Sequence, residues 1–392
     1  MLPTGRSAGL PTAARPLMNG RLGNVAVAAV MAATGGSGLN GQSVVIDDRV
    51  KCPACEITVS DSVILRSDVA VVSFTDRPIP SVAELPDGRF VAGPMVGDHR
   101  IAVFRPDGGF QLALGREGNG PGEFLGYRAN VRLRTDRAGV LHAAQRNRWF
   151  VVRLDGADVT VEGVRMDVIA GDAVPVGDHL YVQAEVTGQD GRSSPIQIVD
   201  RQGRAVRGIG SDDPPAPLPS PFRSFRYLSA SASGDGLWSA RLNRFEVRRF
   251  STSGREELMV TRESEWFEPY DGLLRGELLQ VPQRPRVQAI HETVDGKLWV
   301  AVTHGSTSFE PVRTAESGGE RRVVEDYDLN RLLDTTVEVI DVEAGVVLAR
   351  RTFDHMVQFV STYSGVKAYT VRADPSGDYS ILIRSLDLIG LE

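Results

Sequence analysis

One pattern restricts the fold of this chain more than any other: a turn glycine followed within five residues by an apolar or aromatic strand. It recurs six times, as "DGRFVA", "AGVLHA", "VGDHLYV", "DGLWSA", "DGKLWVAV" and "SGVKAYTV", with glycines Gly88, Gly139, Gly177, Gly236, Gly296 and Gly365. The intervals are 51, 38, 59, 60 and 69 residues. Asp-Gly between alternating apolar residues is a strong short-range hairpin signal, because the turn needs positive φ at both central residues. Five of the six units continue into a second hairpin, turning at Gly108, Gly156, Gly203, Gly254 and Gly345. A unit is therefore four antiparallel strands. Six such units, unevenly padded with loops, predict an all-β fold: a six-bladed β-propeller.

The two ends fit a closed ring. The last unit, "MVQFVSTYSGVKAYTVRADPSGDYSILIRSLDL", supplies three strands. The stretch "EITVSDSVILRS" at 56–67 precedes the first unit and is expected to fill the missing outer place. Closure answers a physical need, since open sheet edges template aggregation. Long helices are not expected; "EPYDGLLRGELLQVP" (268–282) and "EDYDLNRLLDT" (325–335) each have room for a short one.

The N-terminal region has a different character. Residues 1–41 hold no Asp or Glu but carry Arg6, Arg15 and Arg21, then the apolar run Val25 to Ala33 and a small-residue exit. That order describes a secretory signal peptide, with Met18 as an alternative start. The nine-residue run is far short of the ~20 needed to span a bilayer. The expected organisation is a signal peptide at 1–41, a segment at 42–55, and the propeller at 56–392, in an exported (periplasmic or extracellular) monomer. The net charge of −6 disfavours nucleic acid as a partner. Only three lysines occur among 44 basic residues.

Cys52 and Cys55, in "KCPAC", are the only cysteines. A four-ligand zinc site lacks a second C-x-x-C or H-x₃₋₅-H. A thioredoxin-like motif lacks its following helix, because "EITVSDSVILRS" alternates like a strand. A local disulfide is the expectation in an exported protein.

"GREGNGPGEF" (115–124) raises the question of a phosphate cradle, with Gly115, Gly118, Gly120 and Gly122 in close succession. No Lys follows the glycines, Pro121 removes an amide donor, and a strand rather than a helix comes next. A structural turn between successive units is expected. "GSGLNG" (36–41) has G-x-G-x-x-G spacing but lacks the strand before it and the helix after it.

"GNGPGEF" followed by "AGVLHAAQRNRWFVVRLDG" resembles the NHL repeat, a G-x-G-P-G-x-F turn before strands ending in N-R-I-x-V-F and D-G. "DHRIAVFRPDGGF" in the first unit is similar to that ending, with His99 in place of Asn. The second unit departs further: Gln145 replaces the usual Asp and Trp149 the Ile. The later units match in rhythm. The whole chain resembles exported bacterial six-bladed NHL-like propeller proteins. Related propeller enzymes hold a divalent metal in the channel, with carboxylates and amides in gluconolactonase-like hydrolases or histidines in a zinc lyase.

The polar residues near the starts of the predicted inner strands are Ser81, Asn130, Asp172, Tyr227, Gln288 and Gln358. They are the candidate ligand-binding ring. The ring carries one carboxylate, whereas a hard cation commonly takes several oxygen ligands with more than one carboxylate. The six histidines show no H-x-x-x-H or H-E-x-x-H spacing, and no G-x-S-x-G elbow occurs. The sequence therefore points to a binding module that needs no cofactor and engages a glycan, peptide or envelope protein. A metal-dependent, lactonase-like hydrolase or lyase using Ca or Zn is the alternative. Trp238 and Trp299 occupy equivalent places in "GLWSA" and "KLWVAV", which points to packing between blades. "TSFEPVRTAESGGERRVVEDYD" (307–328) is a long insertion suited to partner contact, and "DDPPAPLPSPF" (212–222) an extended connector.

Overall fold

The computed structural model describes residues 41–391 except 67–78, 94–99, 119, 121, 126–130, 157, 188–192, 211–224, 271–279, 313, 318–319, 324–327 and 374–377. The proposed signal residues 1–40, Asn130, the proline-rich connector and most of 268–282 lie outside this set.

The described chain is almost entirely β, arranged as a propeller of small antiparallel sheets. The strands fall into consecutive groups. Group I spans Ser81–Leu114, II Arg132–Ala170, III Asp172–Ile209, IV Arg226–Arg262, V Arg286–Phe353 and VI Gln358–Ile389. Within each, successive strands pair antiparallel, except that in group V Lys297–Gly305 pairs with Leu333–Asp341 across an inserted hairpin. Group II differs from the expected pattern. Its second and third runs are one continuous strand, Leu141–Asp155, whose register jumps between Arg146 and Arg148, with Arg146 at φ 53.

The first strands of the groups neighbour one another in cyclic order, from Ser81–Glu84 through Arg132–Thr135, Asp172–Val176, Arg226–Ala230 and Arg286–Glu292 to Gln358–Phe359. The circle closes where Ala83 bridges Ser361, with Glu84 N–H donating to Ser361 O at 2.8 Å and Ser361 N–H to Val82 O at 2.9 Å. Strand Glu56–Leu65 pairs along its length with Tyr379–Ile389, so the N-terminal strand completes group VI as the sequence predicts.

The core sits between groups. Val82 packs in a cluster shared with group VI, while its neighbour Ala83 packs in one shared with group II. Successive strand residues point to opposite faces, and both faces here are covered. Trp238 packs at the IV–V junction and Trp299 at V–VI, so equivalent positions fill equivalent junctions.

Two details depart from the sequence reading. In group IV the positive-φ turn glycine is Gly234 (φ 74), not Gly236. Gly236 lies in a strand, where a Cβ would stand 2.5 Å from Phe250 O. Residues 42–50 form a strand of their own, which pairs in parallel with both Glu256–Arg262 and Val346–Phe353. It joins groups IV and V into one nine-stranded sheet. Among the described residues of 325–335, Leu329–Leu332 is helical, and the 307–328 insertion holds the short hairpin Thr314–Ser317/Glu320–Val323.

Candidate ligand site in the channel

The glycine-rich loop is held by its own side chains. Gly120 N–H donates to Glu123 Oε2 at 2.6 Å, and Arg116 Nε reaches Glu123 Oε1 at 2.7 Å. A carboxylate thus occupies the place an anion would take. Gln145, fully buried, acts like a peptide group: its Oε1 accepts from Leu125 N–H at 2.7 Å and its Nε2 donates to Leu125 O at 2.9 Å. Gln145 thereby anchors the loop, and Arg148 adds bonds to Gly118 O and Glu123 O.

A cavity of about 1030 Å³ opens within the circle of first strands and the turns that follow them. Ser81, Tyr227, Gln288 and Gln358 line it. Asp172 stands beside it, wholly buried, and Asn130 lies outside the described residues.

The five described members of the expected ring divide by what their polar atoms already do. Ser81 is a staple: its hydroxyl accepts from Leu133 N–H at 3.0 Å and donates to Leu133 O. Asp172 is a second staple. Its carboxylate takes Leu228 N–H at 2.9 Å, Ala173 N–H at 3.0 Å and Arg134 Nη2 at 3.1 Å, with Arg132 Nε at 3.6 Å. Those partners come from groups II, III and IV. Gln358 is half engaged, its Oε1 accepting from Tyr369 O–H, which also donates to Pro80 O at 2.6 Å.

Tyr227 and Gln288 are different. Neither side chain makes a hydrogen bond among the described residues, and Gln288 Oε1 is buried without a partner. Gln288 sits at an irregularity in its strand, where the register shifts between Val287 and Ala289. The packing shows the effect: Val287 and Ile290, three apart, share one cluster, and Ala289 faces another. Such bulges re-aim side chains.

Residues not expected from sequence complete the wall: Arg132, Arg134, His291 and Tyr369. Arg132 and Arg134 alternate in "VRLRT" within a predicted inner strand, a signal that was available. Burial pushes the Tyr227 phenol up, with Arg132 partly opposing it, and Tyr369 is raised in the same way. Both stay protonated donors at ordinary pH. Burial pushes His291 down to about 4, against a hydrogen bond to the Gly365 backbone, so its ring is neutral.

His142 looks like half of a catalytic dyad but is fully engaged. Trp149 Nε1–H donates to His142 Nδ1 at 3.0 Å, which leaves Nε2–H to face Asp136 Oδ2 at 3.1 Å. Burial raises the Asp136 carboxyl, but the bonds from His142 and Val140 outweigh it and hold it low. No ring nitrogen is left to take a proton from substrate. Among the described residues, no three of His, Cys, Asp and Glu converge as metal ligands. Cys52 and Cys55 form a disulfide, Cα–Cα 5.2 Å.

No family model matches the chain, and no curated protein matches it. Solved structures do. A member of the DUF4221 family from Bacteroides vulgatus superposes with a TM-score of 0.56 at 10% identity, covering 85% of this chain and 98% of that one. The β-propeller domain of Myceliophteria thermophila Cps50 (Swd1) gives 0.41 at 10% identity, over 84% and 100%. The periplasmic gluconolactonase PpgL of Pseudomonas aeruginosa gives 0.33 at 17% identity, over 80% and 88%. At 10% identity, the Bacteroides likeness establishes a shared β-propeller fold and carries no activity with it.

Proposed function

We propose that this chain is an exported, six-bladed propeller of NHL-like type that works as a binding module, with its ligand seated in the channel. The strand groups I to VI are the six blades. The observation that carries the reading is the pair Tyr227 and Gln288, whose side chains make no hydrogen bond among the described residues, Gln288 Oε1 being buried and unpaired, on the wall of a cavity of about 1030 Å³. Unpaired buried polar groups cost stability and mark places where a ligand or water completes the hydrogen bonding. The Cys52–Cys55 disulfide supports an oxidising compartment. Glycans, peptides and envelope proteins are the ligand classes in view. The metal-dependent alternative would need carboxylates free to ligate, and Asp172 is consumed by Arg134 and two backbone amides.

A thermal-unfolding screen of glycans, sugar derivatives and peptides tests this. A true channel ligand raises Tm by mass action, by about 2.7 kcal/mol of stability at a hundredfold excess over Kd. The shift is expected to vanish in Tyr227→Ala and Gln288→Ala. Stoichiometric calcium or zinc in the purified protein, or chemical turnover of the ligand, would overturn the reading in favour of an enzyme.

A further inference from the structure

We infer that the channel takes a small organic anion, an inference that rests on the binding-module reading. The chain as a whole is acidic, at −6. Its channel is not. Arg132, Arg134 and Arg286 each favour charge on the Tyr227 hydroxyl and Asp172 opposes it; of the three arginines, Arg132 and Arg134 stand on the cavity wall. Arg132 and Arg134 line the cavity with side chains only 20% exposed. Asp172 neutralises one of these charges and no more. Arg286 lies two residues before Gln288 on the same strand, and its Nε is buried without a partner.

Nearer the rim, two arginines are matched by carboxylates. Arg153, half exposed, holds Glu162 at 3.0 Å, and the exposed Arg201 holds Asp178. Asp136 and Glu292, also on the wall, are held by hydrogen bonds instead, from His142 at 3.1 Å and from Ala232 N–H at 2.7 Å. Two arginines thus share one carboxylate in the deep part of the channel, beside Tyr227 and Gln288. Guanidinium groups suit carboxylate and phosphate oxygens. The phenol O–H and the amide suit hydroxyl groups beside such an anion. A carboxylate or a phosphate carried on a hydroxylated small molecule meets both requirements.

Calorimetric titration separates the charge from the rest of the ligand. The probes are D-galactose, D-galacturonate and D-galactose 1-phosphate, which share a ring and differ in the anion. At least one of the two anions is expected to bind about tenfold or more tighter than galactose. That preference should shrink as salt is raised, since screening weakens charge pairing. Arg132→Gln should remove it. Arg286→Gln breaks no side-chain hydrogen bond or ion pair among the described residues and should reduce it, which covers the case in which Arg132→Gln fails to fold. Which anion binds tighter identifies the carboxylate or phosphate class. Galactose binding as tightly as both anions would overturn the inference and leave the binding-module reading intact. No binding of either anion in the low millimolar range would overturn it too. The wider reading is judged independently by the thermal screen, which includes uncharged ligands.

Discussion

Asp172 shows how one residue type can serve two opposite purposes. As the one carboxylate in the expected ring, it is the natural metal ligand by residue type. The fold instead uses it to tie three inner strands together, through Arg134, Ala173 and Leu228. Those partners stand 38, 1 and 56 residues away, so no local pattern could reveal the pairing. Removing one member of a buried charge pair strands the other. Asp172→Ala is therefore expected to lower unfolding stability by about 3–5 kcal/mol, read by denaturant titration. A loss below about 0.5 kcal/mol would mean that the carboxylate is not a staple. His291 makes a prediction in pH. Its folded value, about 4, lies below the unfolded value near 6.5. The unfolded chain takes up a proton in a window where the folded chain does not. The stability held by neutral His291 is complete above pH 6.5 and is lost as pH falls towards 4, by about 3 kcal/mol. His291→Phe should flatten that part of the stability–pH curve; an unchanged slope would place the effect elsewhere.

Strand Gln42–Val50 carries the main lesson at the scale of elements. Its sequence, "QSVVIDDRV", has no turn signal and no repeat partner, so repeat counting passes over it. Its place is fixed by what it covers. It lies between the outer strands Glu256–Arg262 and Val346–Phe353, pairing with both and sealing two edges at once. Ile46 enters the IV–V core. Asp48 receives Trp266 Nε1–H at 3.2 Å, Ser264 O–H at 3.0 Å and Arg350 Nη2 at 2.9 Å. Arg350 also binds Glu338, which pairs with buried Arg262 at 2.8 Å. Deleting 42–50 exposes both edges. The truncated protein is expected to unfold at lower denaturant and to self-associate by light scattering, whereas Asp48→Ala should cost about 1–3 kcal/mol without association. A truncated chain that stays monomeric and equally stable would contradict this role. By contrast, Glu56–Leu65 was legible in advance, because the last repeat lacked one strand and this segment alternated.

At the scale of the molecule, the fold was legible because a propeller repeats itself. Gly88, Gly139, Gly177, Gly296 and Gly365 all adopt the positive φ that their turns require. The repeat also located the inner strands, and hence four of the cavity-lining residues. It could not tell which polar side chains would be spent on holding blades together, since Ser81 and Asp172 bond across blades while Tyr227 and Gln288 do not. That division is the centre of the account: the ring is held by some of its polar residues and keeps others for a ligand. The most direct measurement needs no ligand. The double variant Tyr227→Phe, Gln288→Met keeps shape close to native and removes the unpaired polar atoms. If those atoms serve a ligand, the purified variant should unfold at the same or higher denaturant concentration than the parent, with a gain of up to about 1–3 kcal/mol. A loss of about 2 kcal/mol or more would show that Tyr227 and Gln288 hold the ring together, and the channel would lose its claim as a ligand site.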